Sequence, residues 1–369
     1  MKIRAVVCRP DRPGYVVETL SIDPPRADEI LVRIAGVGLC HTDITMAQLG
    51  TAVHPLPAVF GHEGSGIVEA VGTDVTKVAP GDHVVISFGS CGHCDHCHNG
   101  LPSGCRSLAT LNFSGGRPDG STALRDADGP IASHFFGQSS FASHALTRER
   151  NVVKVADDLP LEWLGPLGCG VQTGAGAVIN VFAARPGSSI LIIGGGSVGL
   201  SAVMAARLRG CSPIILIEPH ASRRALATEF GASHCLDPGA TPDLAVKLRE
   251  IVPMGVDHAF DTTGIPAMLD AAMTALGSRG VLGVVAGSAA PGGAGLPGDI
   301  NRLVTMGQSV RGIVEGDSDP DVFIPELIGH FRAGRLPFDR MIRTYRLDAI
   351  NQAIDDSLAG RVIKAVLIP

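Results

Sequence analysis

Residues 188–199 read SSILIIGGGSVG, and the chain continues LSAVMAARLRG. A run of β-formers is followed by three glycines and then by apolar residues at helical spacing. Strand, glycine turn and helix in that order open a doubly wound parallel sheet of the α/β class. Gly194, Gly196 and Gly199 have the spacing GxGxxG. The first permits a tight turn, the second admits a pyrophosphate close to the backbone, and the third lets helix and strand pack. Ser197 and Val198 begin the helix, whose N-terminus is aimed at the phosphates. A lone GxGxxG says little by itself. Here a second strand candidate, PIILIE, ends at Glu218 about 20 residues on, where a carboxylate hydrogen-bonds the adenosine ribose. A phosphate on that ribose would meet Glu218 as a like charge, so NAD is expected rather than NADP. Arg223 and Arg224 act in the opposite sense, because an arginine there receives the extra phosphate.

Working outward, VDHAFDTTG and GVLGVVAG read as further strands, with SRRALATEFG and AMLDAAMTALG as helices between strands. The chain before about residue 150 has another texture. EILVRIAGVG, SGIVEAVG and DHVVIS are β-branched runs bounded by turn residues, as in a mainly-β domain. The start, MKIRAVVCRP, alternates like an edge strand. After about residue 314 come a helix-like stretch, DVFIPELIGHFRAG, and a last strand, VIKAVLI. A loop rich in glycine, alanine and proline spans 289–297.

The length of 369 residues suits about two domains. A net charge of −6 gives no electrostatic footprint for nucleic acid or anionic membrane. No apolar run is long enough to span a bilayer. Nine cysteines without a signal pattern point to metal ligands and free thiols in a reducing compartment, so a cytoplasmic location is expected.

Four of those cysteines, Cys91, Cys94, Cys97 and Cys105, lie in CGHCDHCHNGLPSGC. Two-residue gaps and then a seven-residue gap let one lobe fold around a tetrahedral zinc with no open position, a structural staple. A nucleic-acid-binding zinc ribbon would need basic residues there, and only Arg106 adjoins the lobe. Three distant segments offer other ligands: GLCHTD with Cys40, FGHEGSG with His62 and Glu63, and GPLGCGVQTGAG with Cys169. Two thiolates and an imidazole leave one position open, as a catalytic zinc requires. Spacing alone does not join residues 40, 62 and 169.

Taken in order, GLCHTD, GHEGSGIVEAVG, the four-cysteine lobe, LGCGVQTGAG and GGGSVG resemble the zinc-containing medium-chain alcohol dehydrogenases. The resemblance runs from about Ile3 to the C-terminus. FFGQSSFA, LEWLGPLGCG and RGIVEGDSDPDVFIP resemble the benzyl (aryl) alcohol and geraniol-type allylic alcohol dehydrogenases of that family. The family implies a GroES-like mainly-β catalytic domain over 1–170, with the structural zinc lobe at about 90–106. It implies a Rossmann NAD-binding domain over 171–313, and a segment, 314–369, that returns to the catalytic domain. Two zinc ions per chain and NAD are the implied cofactors.

By the same resemblance Cys40, His62 and Cys169 bind the catalytic zinc, with Glu63 an alternative or transient ligand. Asp43 orients His62, and Thr42 accepts the substrate proton. His41 and Lys364 reach the pyrophosphate, and Thr173 contacts the nicotinamide. Ser87, Phe135, Phe136, Val314 and Glu315 fall near the substrate pocket. One position departs from the family: Thr45 stands where many members carry a proton-relay histidine. The implied activity is reversible oxidation of primary aryl or allylic alcohols to aldehydes, through a zinc alkoxide and hydride transfer to NAD. A homodimer or homotetramer is implied, with a small-molecule alcohol or aldehyde as the only other partner. A thiol-dependent formaldehyde dehydrogenase and a catalytically silent NAD-binding homologue stay open beside it.

Overall fold

The computed structural model describes residues 1–369 apart from 13, 288–292, 294 and 296. Most of the 289–297 loop therefore lies outside the described residues. The chain divides into two compact units, the first being Met1–Gly170 with Asp319–Gly329 and Phe338–Pro369, the second Val171–Ser318 with His330–Pro337.

The second unit is built on six parallel strands: Ile190–Ile193, Ile214–Ile217, His234–Leu236, Val256–Asp261, Leu276–Val284 and Ser309–Gly312. Counted along the chain, they lie in the order 3-2-1-4-5-6. The order reverses between the first and fourth strands, which opens a crevice beyond their C-terminal ends. ILII and IILI are buried at every residue. That is why these strands read as continuous apolar runs without alternation. Each such side chain contributes about 1.5–3 kcal/mol on burial. The helices Ser197–Leu208, Ala221–Phe230 and Pro266–Ala275 fall where helical spacing placed them. Several elements escaped that reading, helices Gly170–Gly176 and Ile300–Met306 among them. HCL is too short to show a period, SVRG is mostly exposed, and helix Leu244–Ile251 is capped by the Asp243 carboxylate accepting the Val246 N–H at 2.9 Å.

The first unit holds a seven-stranded sheet. Its path runs Ile342–Arg346, Lys364–Ile368, Glu29–Gly38, Gly64–Val71, His83–Ile86 and Val152–Val155, with His144–Arg148 also on Glu29–Gly38. A four-stranded sheet carries Lys2–Cys8 at its edge, as the alternation at the chain start predicts. Val32, Ile34, Val68, Ile86, Phe60 and Phe135 are among the buried side chains of its core. The C-terminal boundaries differ from 314–369. Residues 314–318 stay with the second unit because Gln172 and Thr173 both donate to the Glu315 carboxylate, at 3.2 and 3.3 Å. Asn180 likewise donates to the Gly316 carbonyl at 3.1 Å. Among the described residues no helix is long and apolar enough to cross a membrane.

Candidate active site

Strand pairing explains why distant ligands meet. Glu29–Gly38 and Gly64–Val71 are antiparallel with Val37 opposite Gly64, and the Gly38 N–H donates to the Glu63 carbonyl at 2.9 Å. Leu39 and Cys40, leaving one strand, thus lie beside His62 and Glu63, entering the other. The last strand pairs on the opposite side, with Val366 opposite Gly38. The Leu39 N–H donates to the Ala365 carbonyl at 2.9 Å, which brings Lys364 to the same corner. Cys169 follows the turn Gly165–Gly168, which the Ser87 hydroxyl holds by donating to the Gly168 carbonyl at 2.6 Å. Cys40, His62, Glu63 and Cys169 each place a ligand atom within 4.8 Å of the others.

Asp43 orders the group. It sits in the first turn of helix His41–Leu49, for which Cys40 is the N-cap, and is wholly buried. Its carboxylate accepts from the Cys40 N–H at 3.0 Å, the Gly61 N–H at 3.0 Å and His62 Nδ1 at 2.9 Å. With Nδ1 engaged, His62 Nε2 is left buried without a hydrogen-bond partner. Such an orphan is costly unless something binds it, and it is the lone pair that a metal-bound histidine presents. The Cys40 thiol is held well below its usual range by its hydrogen bond with Cys169 and by the nearby His62. Burial works against charge on His62, and the Asp43 carboxylate outweighs it, leaving a strongly basic imidazole. Two sulfurs and one nitrogen of this character fit zinc with a position to spare.

Other expected residues are placed less uniformly. Thr42 Oγ1 lies 3.7 Å from Cys40 Sγ. His41 is exposed at the helix start, and Thr45 is half-buried one turn on. Phe136 stacks on the His62 ring, with centroids 4.4 Å apart and planes at 26°, while Phe135 meets that ring edge-on at 5.6 Å. Phe136 has a left-handed backbone (φ 51°), a costly conformation for a bulky residue that aims its ring at the ligand. Val314 and Glu315 belong to the second unit, Ser87, Phe135 and Phe136 to the first.

Lys364 is buried at the same corner. An ammonium has three N–H donors. Those of Lys364 serve both Glu63 oxygens, at 2.9 and 2.8 Å, and the Leu39 carbonyl at 3.2 Å. Gln138 escaped the sequence reading. Its amide donates to the His62 carbonyl at 2.9 Å and accepts the Gly64 N–H at 3.0 Å, fixing the ligand strand from behind. The only signal was a polar QSS between the aromatics of FFGQSSFA.

The four-cysteine lobe also closes on itself. The sulfurs of Cys91, Cys94, Cys97 and Cys105 lie within 4.8 Å of one another, and no disulfide joins any of the nine cysteines. Cys105 Sγ accepts the N–H groups of Cys91 and Ser107, at 3.2 and 3.4 Å. The backbone N–H groups of Arg106 and Cys97 pull the Cys94 thiol down to about 6, whereas burial pushes Cys105 up to about 12. Four adjacent thiols cannot all ionise unless a cation joins them, and an all-thiolate zinc site meets that need.

In the second unit the glycine turn has the shape that a dinucleotide needs. Gly194 is left-handed (φ 98°), and a Cβ on Gly199 would stand 1.8 Å from the Gly194 oxygen. On the Cβ side of Gly196, at the N-cap of helix Ser197–Leu208, nothing lies within 4 Å, leaving the approach open. Glu218 follows its strand and is 2% exposed. It accepts the Gly195 N–H at 2.6 Å and the His220 N–H at 2.8 Å. Arg223 stands 4.0 Å from Glu218. Arg224 donates to the Glu218 and Pro219 carbonyls and pairs with Asp237 at 3.0 Å. Thr173 is buried, its hydroxyl donating to Glu315.

Comparison with known proteins agrees with both halves. The family model for the alcohol dehydrogenase GroES-like domain matches residues 26–157, and that for zinc-binding dehydrogenases matches 197–328. A geraniol dehydrogenase from Castellaniella defragrans is 50% identical over 366 residues, covering 99% of this chain and 97% of its own length. The crystal structure of an alcohol dehydrogenase zinc-binding domain protein from Burkholderia ambifaria superposes with a TM-score of 0.95 at 50% identity, covering 100% of this chain and 99% of that one. Benzyl alcohol dehydrogenase from Acinetobacter calcoaceticus gives 0.94 at 43% identity, with the same coverage of each chain. A mainly-β ligand-bearing unit, a parallel-sheet unit of order 3-2-1-4-5-6 and matches of this extent have one explanation: the chain belongs to the zinc-containing medium-chain alcohol dehydrogenase family.

Proposed function

We propose that this alcohol dehydrogenase oxidises primary aryl or allylic alcohols, reversibly and with NAD. The observation that carries the substrate class is the Phe136 ring stacked 4.4 Å from the His62 ring. An aromatic wall at the ligand set favours a flat, unsaturated carbinol by stacking, and the geraniol and benzyl alcohol dehydrogenases among the relatives support that choice. When bound, zinc supplies a Lewis acid at its open position and NAD accepts a hydride. Cys40, His62 and Cys169 would hold the metal, Asp43 fixing the ring of His62. The Thr42 hydroxyl would accept the hydrogen bond of the substrate hydroxyl and relay the proton by releasing its own. Thr45 carries no base, so the relay beyond Thr42 would end on the cofactor ribose, on water or on another base.

NADH formation, followed with benzyl alcohol, geraniol and ethanol at equal NAD and without thiol, tests the substrate class. Both unsaturated alcohols should exceed ethanol in kcat/KM by about a hundredfold or more, at 1–3 kcal/mol for each added stretch of apolar contact. Turnover of ethanol alone would sink the assignment. An absolute need for a thiol would favour formaldehyde-adduct chemistry.

NAD preference rests on Glu218, held in place by the Gly195 and His220 N–H groups. A like charge brought against a buried carboxylate costs several kcal/mol, so NAD should lead NADP by roughly a hundredfold or more in kcat/KM. Glu218→Ser should narrow that ratio by about tenfold or more, with the gain on the NADP side. Equal use of both cofactors by the unaltered chain would refute the reading.

A further inference from the structure

The Lys364–Glu63 pair has no part in the chemistry above, yet it is among the most deeply buried charges in the first unit, with Lys364 2% and Glu63 0% exposed. Besides Lys364, Glu63 Oε1 accepts the Gly170 N–H at 3.1 Å. Lys364 in turn donates to the Leu39 carbonyl at 3.2 Å. Leu39, Glu63 and Gly170 are the chain neighbours of Cys40, His62 and Cys169. One ion pair thus ties together the residues flanking all three expected ligands. Burial alone would discharge the lysine. The Glu63 carboxylate, with the Cys40 and Cys169 sulfurs, outweighs burial and keeps the ammonium charged.

Glu63 is itself a competent ligand, since carboxylate oxygens bind zinc and one of its oxygens lies within the same 4.8 Å cluster. Were it to bind, two sulfurs, a nitrogen and an oxygen would fill a tetrahedral site and leave no position for substrate. Its present place is prepared for it. A Cβ on Gly38 would stand 1.9 Å from Glu63 Oε2, so a glycine there makes room for the carboxylate against Lys364. Charge points the same way. Two thiolates, a carboxylate and a dication leave one negative charge, and the Lys364 ammonium cancels it.

We propose that Lys364 is a positioning residue that holds Glu63 away from the metal and so keeps the substrate position open. Removing the ammonium leaves a buried, unpaired carboxylate, which is strongly unfavourable, and the nearest cation is then the metal. The inference rests on Cys40, His62 and Cys169 forming a metal site, and the test separates the two. The full chain is loaded with cobalt(II), and imidazole is titrated in without NAD while the visible d–d bands are followed. Imidazole cannot enter the closed four-thiolate site, so any change reports on the open one.

Lys364→Met should keep its cobalt but bind imidazole about tenfold more weakly or worse, tenfold being 1.4 kcal/mol. Adding Glu63→Gln to it should restore binding to within about threefold of the unaltered chain, since a buried pair neutralised on both sides is tolerated. Imidazole affinity unchanged in Lys364→Met, or not restored in the double variant, would overturn the proposal. Should Lys364→Met lose cobalt, Lys364→Gln replaces it, and loss from both counts against the idea. If the unaltered chain shows no imidazole-dependent band, the metal reading itself fails.

Discussion

His62→Ala should lower bound zinc from two ions per chain to one and reduce kcat/KM by about a thousandfold or more. The magnitude follows from losing a Lewis acid worth several kcal/mol at 1.4 kcal/mol per factor of ten. The structure says why no neighbour compensates. His62 is the only nitrogen donor of the set, and its Nε2 is the buried atom without a partner. Its removal also strips the Asp43 carboxylate of the ring that it orients at 2.9 Å. Asp43→Asn is the graded companion. It keeps the ligand but weakens its orientation, and partners of this kind typically cost about 10–100-fold in affinity or activity. Zinc analysis and steady-state kinetics on the same preparations check both. Full zinc occupancy in His62→Ala would show that the cluster is not the metal site.

Cys97→Ser should remove the other zinc and leave the first in place. Cys97 is buried, its sulfur 3.9 Å from that of Cys91, and the lobe holds only short helices, Asp95–His98 and Pro102–Gly104, to order it otherwise. Structural zinc contributes about 10–16 kcal/mol to folding in small zinc-finger peptides. Losing even a third of that corresponds to a fall in Tm of roughly 10 °C, at 2–4 °C per kcal/mol for a unit of this size. Thermal melting and limited proteolysis across residues 91–105 read the outcome. An unchanged Tm together with a resistant lobe would count against the staple.

The local signals were fully legible. GGGSVG fixed a turn because glycine alone tolerates the left-handed Gly194 and the close packing at Gly199. The four cysteines declared a metal lobe because all ligands lie within fifteen consecutive residues, so spacing encodes geometry. The grouping of Cys40, His62, Glu63 and Cys169 was legible only through family resemblance. Residues 40, 62 and 169 have no fixed separation until strand register sets it. Lys364 shows the limit most clearly, since its sequence neighbours, VIKAVLI, say only that it lies in a strand.

What the sequence determined by itself is whatever depends on near neighbours along the chain: the alternation of strand and helix, the glycine turn, the acidic residue that follows it, and the four-cysteine lobe. What only the tertiary structure decided is which polar groups lose water together. The Asp43–His62 bond, the Phe136 stack on that imidazole, the support from Gln138 and the turn of Lys364 toward Glu63 all arise where strands far apart in sequence meet. Burial makes each of those pairings obligatory, because a buried charge or ring nitrogen without a partner is costly, and no pattern of adjacent residues records which partner it will find.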